Sequence, residues 1–195
     1  MNRPVTRESL MTLEAYARAR PEFRRSVLEH KKHRNLSLGE HMRLTFEDEL
    51  TIRYQIQEML RIEKTFEEQG ILDELQAYNP LIPDGSNFKA TMLIEYDDVE
   101  QRKHELARLI GIEDTVWVQV GNGPRIHAVA DEDMERENDA KTSAVHFLRF
   151  ELPATQVAAL KGGAALSAGV DHPNYRTQVS PVPETLRTAL INDLA

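Results

Sequence analysis

The chain has 195 residues, of which 41% are hydrophobic and 29% are charged, and its formal net charge is −8. Such a composition is typical of one globular domain with a buried core. Because the chain has no cysteine, it excludes disulfides, thiolate nucleophiles and cysteine-ligated zinc or iron–sulfur sites.

The first part of the chain is predicted to form a basic helical arm, at about residues 1–34. We expect Thr6 to cap one helix that ends at Pro21, and a second helix to run from Pro21 to residue 32. The arm carries nine Lys/Arg and four Asp/Glu, a net charge of +5, whereas the rest of the chain carries −13. Either the arm docks on the acidic body or it contacts phosphates of a nucleic acid. The run 30–34 lacks interleaved aromatic or glycine residues, which favours the first interpretation.

The middle of the chain is predicted to alternate between helices and strands. In chain order, we expect a turn at 35–39, a strand at 41–47, a long helix at 49–66 stopped by Gly70, a short helix at 71–78, a strand at 90–96 and a helix at 99–109.

The second half is predicted to be richer in strands. We expect strands at 115–120, 125–130, 144–152 and 164–170, turns at 121–123 and 171–175, and helices at 153–161 and 184–194. The acidic segment 131–139 lacks the glycine of a calcium loop and is taken as a solvated segment, helical or mobile.

These elements predict the fold class. Helices cluster in the first part and strands adjoin through short turns in the second, which indicates an α+β domain with a mostly antiparallel sheet. We expect residues 1–195 to form a single globular domain. There is no regular strand–helix–strand alternation and no glycine-rich phosphate loop, so a nucleotide-binding fold is not favoured.

The helix at 49–66 carries polar residues on its apolar face. On a helical wheel, Glu63 falls near the centre of the apolar stripe and Gln55 falls inside its edge. A carboxylate in such a stripe is costly unless it is paired, so Glu63 is a metal ligand, a general acid or base, a member of an internal ion pair, or a carboxylate near the helix end that reaches solvent. The opposite, solvent-facing side is predicted to carry Arg53, Gln57, Arg61 and Lys64.

Histidines supply the other candidate groups. In the strand at 144–152, His146 shares a face with apolar residues and is expected to be buried, as a hydrogen-bonded core group or as a ligand. No histidine lies in a zinc or di-iron motif, so no cofactor is predicted beyond a possible metal ion. The candidate polar site comprises Gln55, Glu58, Glu63, His41, His146 and His172.

Seven stretches of the chain carry a resemblance to a known family. They are RPEFR (20–24), HKKHR (30–34), FED (46–48), YQIQEMLRIE (54–63), YNPLIPDG (78–85), HFLRF (146–150) and GVDHP (169–173). On these stretches the chain, from about residue 6 to 176, resembles a bacterial family described only as a domain of unknown function, number 3501. Members of that family are often encoded beside rubrerythrin-like and iron–sulfur oxidoreductase proteins. The resemblance therefore implies a role in oxidative-stress or electron-transfer systems, and it assigns no catalytic residue.

Three functions stay open from the sequence. The first is an accessory protein that binds a redox-protein partner through its acidic body or its basic arm. The second is a metal-binding or acid/base enzyme that uses the candidate polar site, and the third is nucleic-acid binding by the basic arm. The N-terminal residues lack the apolar stretch of a signal peptide, and no apolar run approaches the roughly 20 residues that span a bilayer. We therefore expect a cytoplasmic protein without membrane contact.

Overall fold

A computed structural model of the chain describes residues 3–130 and 141–195, so the acidic segment 131–139 lies outside the described residues. The helices are α1 (Leu13–Lys32), α2 (Glu49–Glu63), α3 (Glu68–Tyr78), α4 (Val99–Arg108), α5 (Ala154–Lys161) and α6 (Glu184–Asp193). The strands are β1 (Asn35–Leu38), β2 (Met42–Phe46), β3 (Asn87–Ile94), β4 (Val116–Val120), β5 (Arg125–His127), β6 (Val129–Ala130), β7 (Val145–Glu151), β8 (Leu166–His172) and β9 (Tyr175–Val179). Among these described helices, none is both long enough and apolar enough to cross a membrane.

The strands form two antiparallel sheets, which confirms the predicted α+β class. One sheet has the order β1-β2-β3-β7-β6 and the other has the order β5-β4-β8-β9. Alternate side chains of β2, β3 and β7 pack against side chains of β4 and β8 in one apolar cluster. The residues between these inward positions point to the opposite face of the first sheet, where α1 and α2 lie. A second apolar cluster joins α2, α3 and the N-terminal segment.

Three short strand assignments differ from the sequence prediction. Residues 35–38 were predicted as a turn but form β1, in which Leu36 and Leu38 are buried and alternate with an exposed serine. The predicted turn at 171–175 contains the ends of β8 and β9, which meet in a tight hairpin. The predicted strand at 125–130 is divided, because β5 pairs in one sheet and β6 in the other.

The helix α1 continues through Pro21, where the sequence predicted a break. Proline removes one helical hydrogen bond and strains the preceding turn, at a cost of about 3 kcal/mol. Contacts on both sides of the proline offset this cost. Tyr16 and Phe23 pack edge to face with ring centroids 6.1 Å apart, and Arg20 binds Glu58 of α2.

The predicted stop at Gly70 was also wrong. The α2 helix ends at Glu63, and Lys64 follows with a left-handed φ of 55°. Gly70 lies within α3. A left-handed residue after the last turn is a common way to end a helix, although glycine or asparagine is the usual choice there.

Two amide side chains hold the segment that precedes α1. Asn79 accepts from the Val5 N–H at 2.8 Å and donates to the Val5 carbonyl at 3.0 Å. Gln57 accepts from the Met11 N–H at 2.7 Å and donates to its carbonyl at 3.4 Å. Gln57 was predicted to face solvent, and this was wrong, because the N-terminal segment covers that side of α2 and buries the amide.

The basic arm docks on the acidic body through several ion pairs. Arg34 is 2% exposed, pairs with Asp48 at 3.2 Å and also binds Asp193 of α6. His30 contacts Asp48 at 2.5 Å, and Arg20 contacts Glu58 at 2.7 Å. These contacts agree with the first of the two interpretations of the basic arm.

The sole tryptophan marks a close approach between two strands of the second sheet. Trp117 on β4 is 1% exposed, and the Arg125 guanidinium stacks 3.8 Å from the centre of its ring. Opposite it on β8, a Cβ atom added to Gly169 would lie 2.4 Å from the indole ring. Only glycine allows this ring to lie flat over the neighbouring strand.

Candidate functional site

The outer face of the first sheet forms the floor of a cavity. The register places Thr45, Thr91 and Phe147 side by side across β2, β3 and β7, with Leu93 and Val145 as the next pair. Strand alternation sends these side chains away from the core, whose residues Leu44, Met92 and Leu148 belong to the same strands. The floor is therefore half-buried, with hydroxyl groups at one end and apolar side chains at the other.

Helices form the roof of this cavity, which encloses about 290 Å³. The first two turns of α2 supply Thr51, Ile52 and Gln55, because the capping box at Asp48 starts that helix directly after β2. We call this space the sheet–helix cavity. Its lining residues are Lys31, Thr45, Glu47, Thr51, Ile52, Gln55, Tyr78, Leu81, Thr91, Leu93, Val145 and Phe147.

Two charged groups line the sheet–helix cavity. Glu47 is 7% exposed, and its Oε1 accepts a hydrogen bond from Thr91 Oγ1 at 2.6 Å. Lys31 lies in the last turn of α1 and is half-buried. Within the described ranges, neither side chain makes an ion pair, so the two charges lie in one cavity without neutralising each other.

Of the six candidate residues named from the sequence, the cavity contains Gln55. Its side chain makes no hydrogen bond to another residue of the described chain, so the amide is available in the cavity. Sequence reasoning missed Lys31 and Glu47. One signal for Glu47 was present, because β2 alternation places it on the outer face directly before the helix cap at Asp48.

Glu63 is exposed, as are the neighbouring Ile62 and Phe66, at 64% and 75%. Its placement in a buried stripe was therefore wrong, and the structure agrees with the alternative in which this carboxylate lies near the helix end and reaches solvent. The α2 helix ends at Glu63 rather than at Phe66, and within its last turn only Leu60 is buried. The buried apolar residues of α2 are Ile52, Ile56 and Leu60.

Glu58 is occupied by an ion pair and a phenol. Arg20 donates to both carboxylate oxygens, at 2.7 and 2.8 Å, and Tyr16 donates to Oε1 at 2.6 Å. The hydrogen bonds from Arg20 are the main reason that the pKa of Glu58 falls to about 2. Burial and the same carboxylate raise the pKa of Tyr16. Glu58 therefore joins α1 to α2 and is not free to act as a ligand.

His146 is buried, as expected, and lies beside Glu113. The His146 Nδ1 lies 3.7 Å from the Glu113 carboxylate, and Nε2 lies 2.9 Å from Thr142 Oγ1. Nε2 is also 3.0 Å from the Ser143 carbonyl, which can only accept, so that contact requires the proton on Nε2. Glu113 had no sequence signal, because it lies in a short 3₁₀ turn, Ile112–Thr115.

The remaining histidines lie elsewhere. His41 stacks on Tyr96, with ring centroids 4.1 Å apart, and is partly exposed. His172 lies between the Ile110 carbonyl, 3.1 Å from Nε2, and the Asn174 N–H, which donates to Nδ1 at 3.2 Å. The six candidate residues thus do not form one site. Across residues 3–130 and 141–195, no group of three or more His, Asp or Glu residues is arranged to hold a metal ion.

Two comparisons with known proteins give the same result, a match to proteins of unknown function. A family model described as "Protein of unknown function (DUF3501)" matches residues 4–194, which extends past residue 176 and includes α6. The chain is similar to a crystal structure of a novel protein of unknown function from Burkholderia pseudomallei K96243. The two are 54% identical, the match covers 99% of this chain and 100% of that chain, and the TM-score is 0.94. No curated protein matches the chain.

Proposed function

Because the chain belongs to the DUF3501 family of proteins of unknown function, we propose its function from its own structure: it binds a small organic molecule in the sheet–helix cavity. The observation that carries this proposal is the composition of the lining. Apolar side chains from the sheet and the helices alternate with polar ones, and the polar set includes two charged groups, Lys31 and Glu47, and the amide of Gln55. A concave space that combines apolar surface with a few such groups is typical of ligand pockets, which commonly enclose about 300–1,000 Å³, and this cavity lies just below that range.

A variant whose larger side chain fills part of the cavity tests the proposal. Gln55→Trp adds a large side chain to the roof and removes no hydrogen bond made to the described chain. Met59→Trp, one turn further along α2, adds the same side chain outside the lining and serves as the matched control. Small organic fragments are then added to each ¹⁵N-labelled protein, and amide chemical shifts are recorded.

We expect fragments to shift the amides of Ile52, Leu93 and Phe147 in the unmodified protein and in Met59→Trp. In Gln55→Trp these shifts should be lost. Shifts that persist unchanged in Gln55→Trp, or that map to another surface, would contradict binding in this cavity.

An accessory role beside a redox protein is a second candidate, and a separate surface favours it. Ile62, Phe66 and Leu72 at the junction of α2 and α3 are 64%, 75% and 44% exposed, and we call them the turn patch. Large apolar side chains left exposed close together in sequence favour a protein-binding surface at this junction. The family resemblance identifies the partner to be tested, a rubrerythrin-like protein from the same source.

Sedimentation of the two purified proteins measures this association directly. We expect a complex that Phe66→Ser weakens and that Val99→Ser, which changes an exposed apolar residue outside the turn patch, leaves intact. If the two proteins sediment independently at concentrations of tens of micromolar, the accessory role with this partner fails.

A further inference from the structure

We propose that the sheet–helix cavity selects zwitterionic ligands, which place an ammonium group at Glu47 and an acidic group at Lys31. This inference rests on the proposed function and adds the chemical class of the ligand. A zwitterion satisfies both protein charges at once and brings no net charge into a half-buried space.

The two protein charges are separate within one cavity. Both Lys31 and Glu47 line it, yet they form no ion pair with each other or with any other residue of the described ranges. Opposite charges that share a small space attract each other, and flexible side chains would pair if their positions allowed it. Their separation leaves room for a molecule that bridges them.

The Glu47 carboxylate is held in place before any ligand arrives. Its backbone N–H donates to the Lys89 carbonyl at 2.8 Å, and its own carbonyl accepts from Arg34 at 3.1 Å. Thr91 binds Oε1 at 2.6 Å. No residue in the described part of the chain donates to Oε2, so this oxygen is available to a ligand ammonium group.

Lys31 provides the complementary charge from α1. It belongs to the last turn of α1, directly before the buried Arg34 and β1, so the anchored end of the helix fixes where its side chain begins. Its ammonium is a compact charge with three donors on a flexible stem, which suits carboxylate or phosphate oxygens of varied geometry. Ile52, Leu93 and Phe147 also line the cavity, so the ligand needs an apolar body as well.

Calorimetry with matched probes tests this selectivity. The zwitterions are L-leucine and 6-aminohexanoate, which differ in the separation of their charges, and the single-charge counterparts are hexylamine and hexanoate. At least one zwitterion should bind about tenfold or more tightly than both counterparts, because each charge-assisted hydrogen bond contributes measurably. Equal binding of zwitterionic and singly charged probes would overturn the inference.

Two conservative variants separate the roles of the charges. Glu47→Gln keeps an oxygen for Thr91 and should reduce the affinity for hexylamine and the zwitterion about tenfold, while hexanoate binding stays unchanged. Lys31→Met should reduce the affinity for hexanoate and the zwitterion about tenfold, while hexylamine binding stays unchanged. Lys31→Glu should convert the preference to hexane-1,6-diamine, a gain that damage to the fold would not produce.

The outcomes distinguish this inference from the proposed function. If neutral fragments shift the cavity amides but charged probes show no such selectivity, the zwitterion inference fails and small-molecule binding stands. If no molecule of any charge shifts those amides, both fail. If both charge variants lose affinity for all of the probes to the same extent, the two side chains only maintain the shape of the cavity, and the inference is overturned.

Discussion

Arg34 is buried against groups from two separate parts of the chain, residues 46–48 and Asp193 of α6. Its Nε donates to the Phe46 carbonyl at 2.9 Å, one terminal nitrogen lies 3.2 Å from Asp48, and the other binds the Glu47 carbonyl and Asp193. The planar guanidinium satisfies all of these acceptors at once, which a lysine ammonium cannot do. The cost of burying the charge is offset only while the whole set of partners is present.

At the residue scale we expect Arg34→Met to lower the free energy of unfolding by about 3–5 kcal/mol, because it leaves two carboxylates buried without their cation. Urea unfolding followed by circular dichroism measures the change. Arg25→Met, in an ion pair whose side chains are both 74% exposed, is the control and should change stability by less than about 1 kcal/mol. An Arg34→Met protein within 1 kcal/mol of the unmodified chain would mean that the network contributes little.

The candidate site shows what a helical wheel can and cannot predict at this scale. The wheel placed Gln55 at the edge of the buried stripe, and Gln55 lines the cavity. It misplaced Glu63 and Gln57 for one reason. Periodicity tells on which side of the helix a side chain lies, but it does not tell which other part of the chain packs against that side. The N-terminal segment covers Gln57, and nothing in the described chain buries Glu63.

At the scale of elements, the contact between α1 and α2 depends on the ionised state of Glu58. Arg20 holds the pKa of Glu58 at about 2, below its usual value of 4.5. A carboxylate whose pKa is lower in the folded than in the unfolded state stabilises the fold. This contribution is fully present above the pKa of the unfolded state, and it is lost as the pH falls through the pKa of the folded state. The side chain is 14% exposed, so solvent screens this interaction only in part.

We therefore expect the stability difference between the unmodified protein and Glu58→Gln to be largest near neutral pH, on the order of 2–3 kcal/mol. The difference should narrow as the pH falls from about 4.5 through about 2, below which the carboxylate is protonated in both states. Urea titrations at a series of pH values measure it. Glu68→Gln, in an exposed pair with Arg7, should show a small difference throughout, and a pH-independent difference for Glu58→Gln would contradict the expected linkage.

Among the strands, a long alternation predicted more than a short one. The alternation in β7 spans seven residues and predicted both its extent and the burial of His146. By contrast, the four residues of β1 were interpreted as a turn, and the predicted turn at 171–175 took in the end of β8 and the first residue of β9, because hydrogen bonding to neighbouring strands decides their conformation. The division of residues 125–130 between two sheets likewise depends on partners that are distant in sequence.

At the scale of the whole molecule, the single-domain prediction stays a prediction that unfolding can test. The two apolar clusters belong to different layers, and Arg34 connects α1 and α2 with α6 through a shared set of buried charges. Layers connected in this way should unfold together.

We expect one cooperative transition, with coincident midpoints for Trp117 fluorescence, which reports on the second sheet, and far-ultraviolet circular dichroism, which is dominated by the helices. Both signals are followed through one urea titration. Two separated midpoints would show instead that the helical layer is an independent folding unit. In Arg34→Met, the midpoints should both move together if the layers remain coupled.

Because the side-chain amides of Asn79 and Gln57 bind only two residues of the N-terminal segment, its backbone amides should exchange hydrogen with solvent at different rates. The backbone N–H groups of Val5 and Met11 each donate to a side-chain oxygen. These two side-chain amides take the place of the backbone carbonyls that a neighbouring strand would supply. Hydrogen–deuterium exchange should therefore be slow at these two positions and faster at residues 6–9, whose N–H groups make only local contacts in a short 3₁₀ turn. This segment would then behave like an edge strand at two residues and like an isolated turn between them, although it belongs to neither sheet.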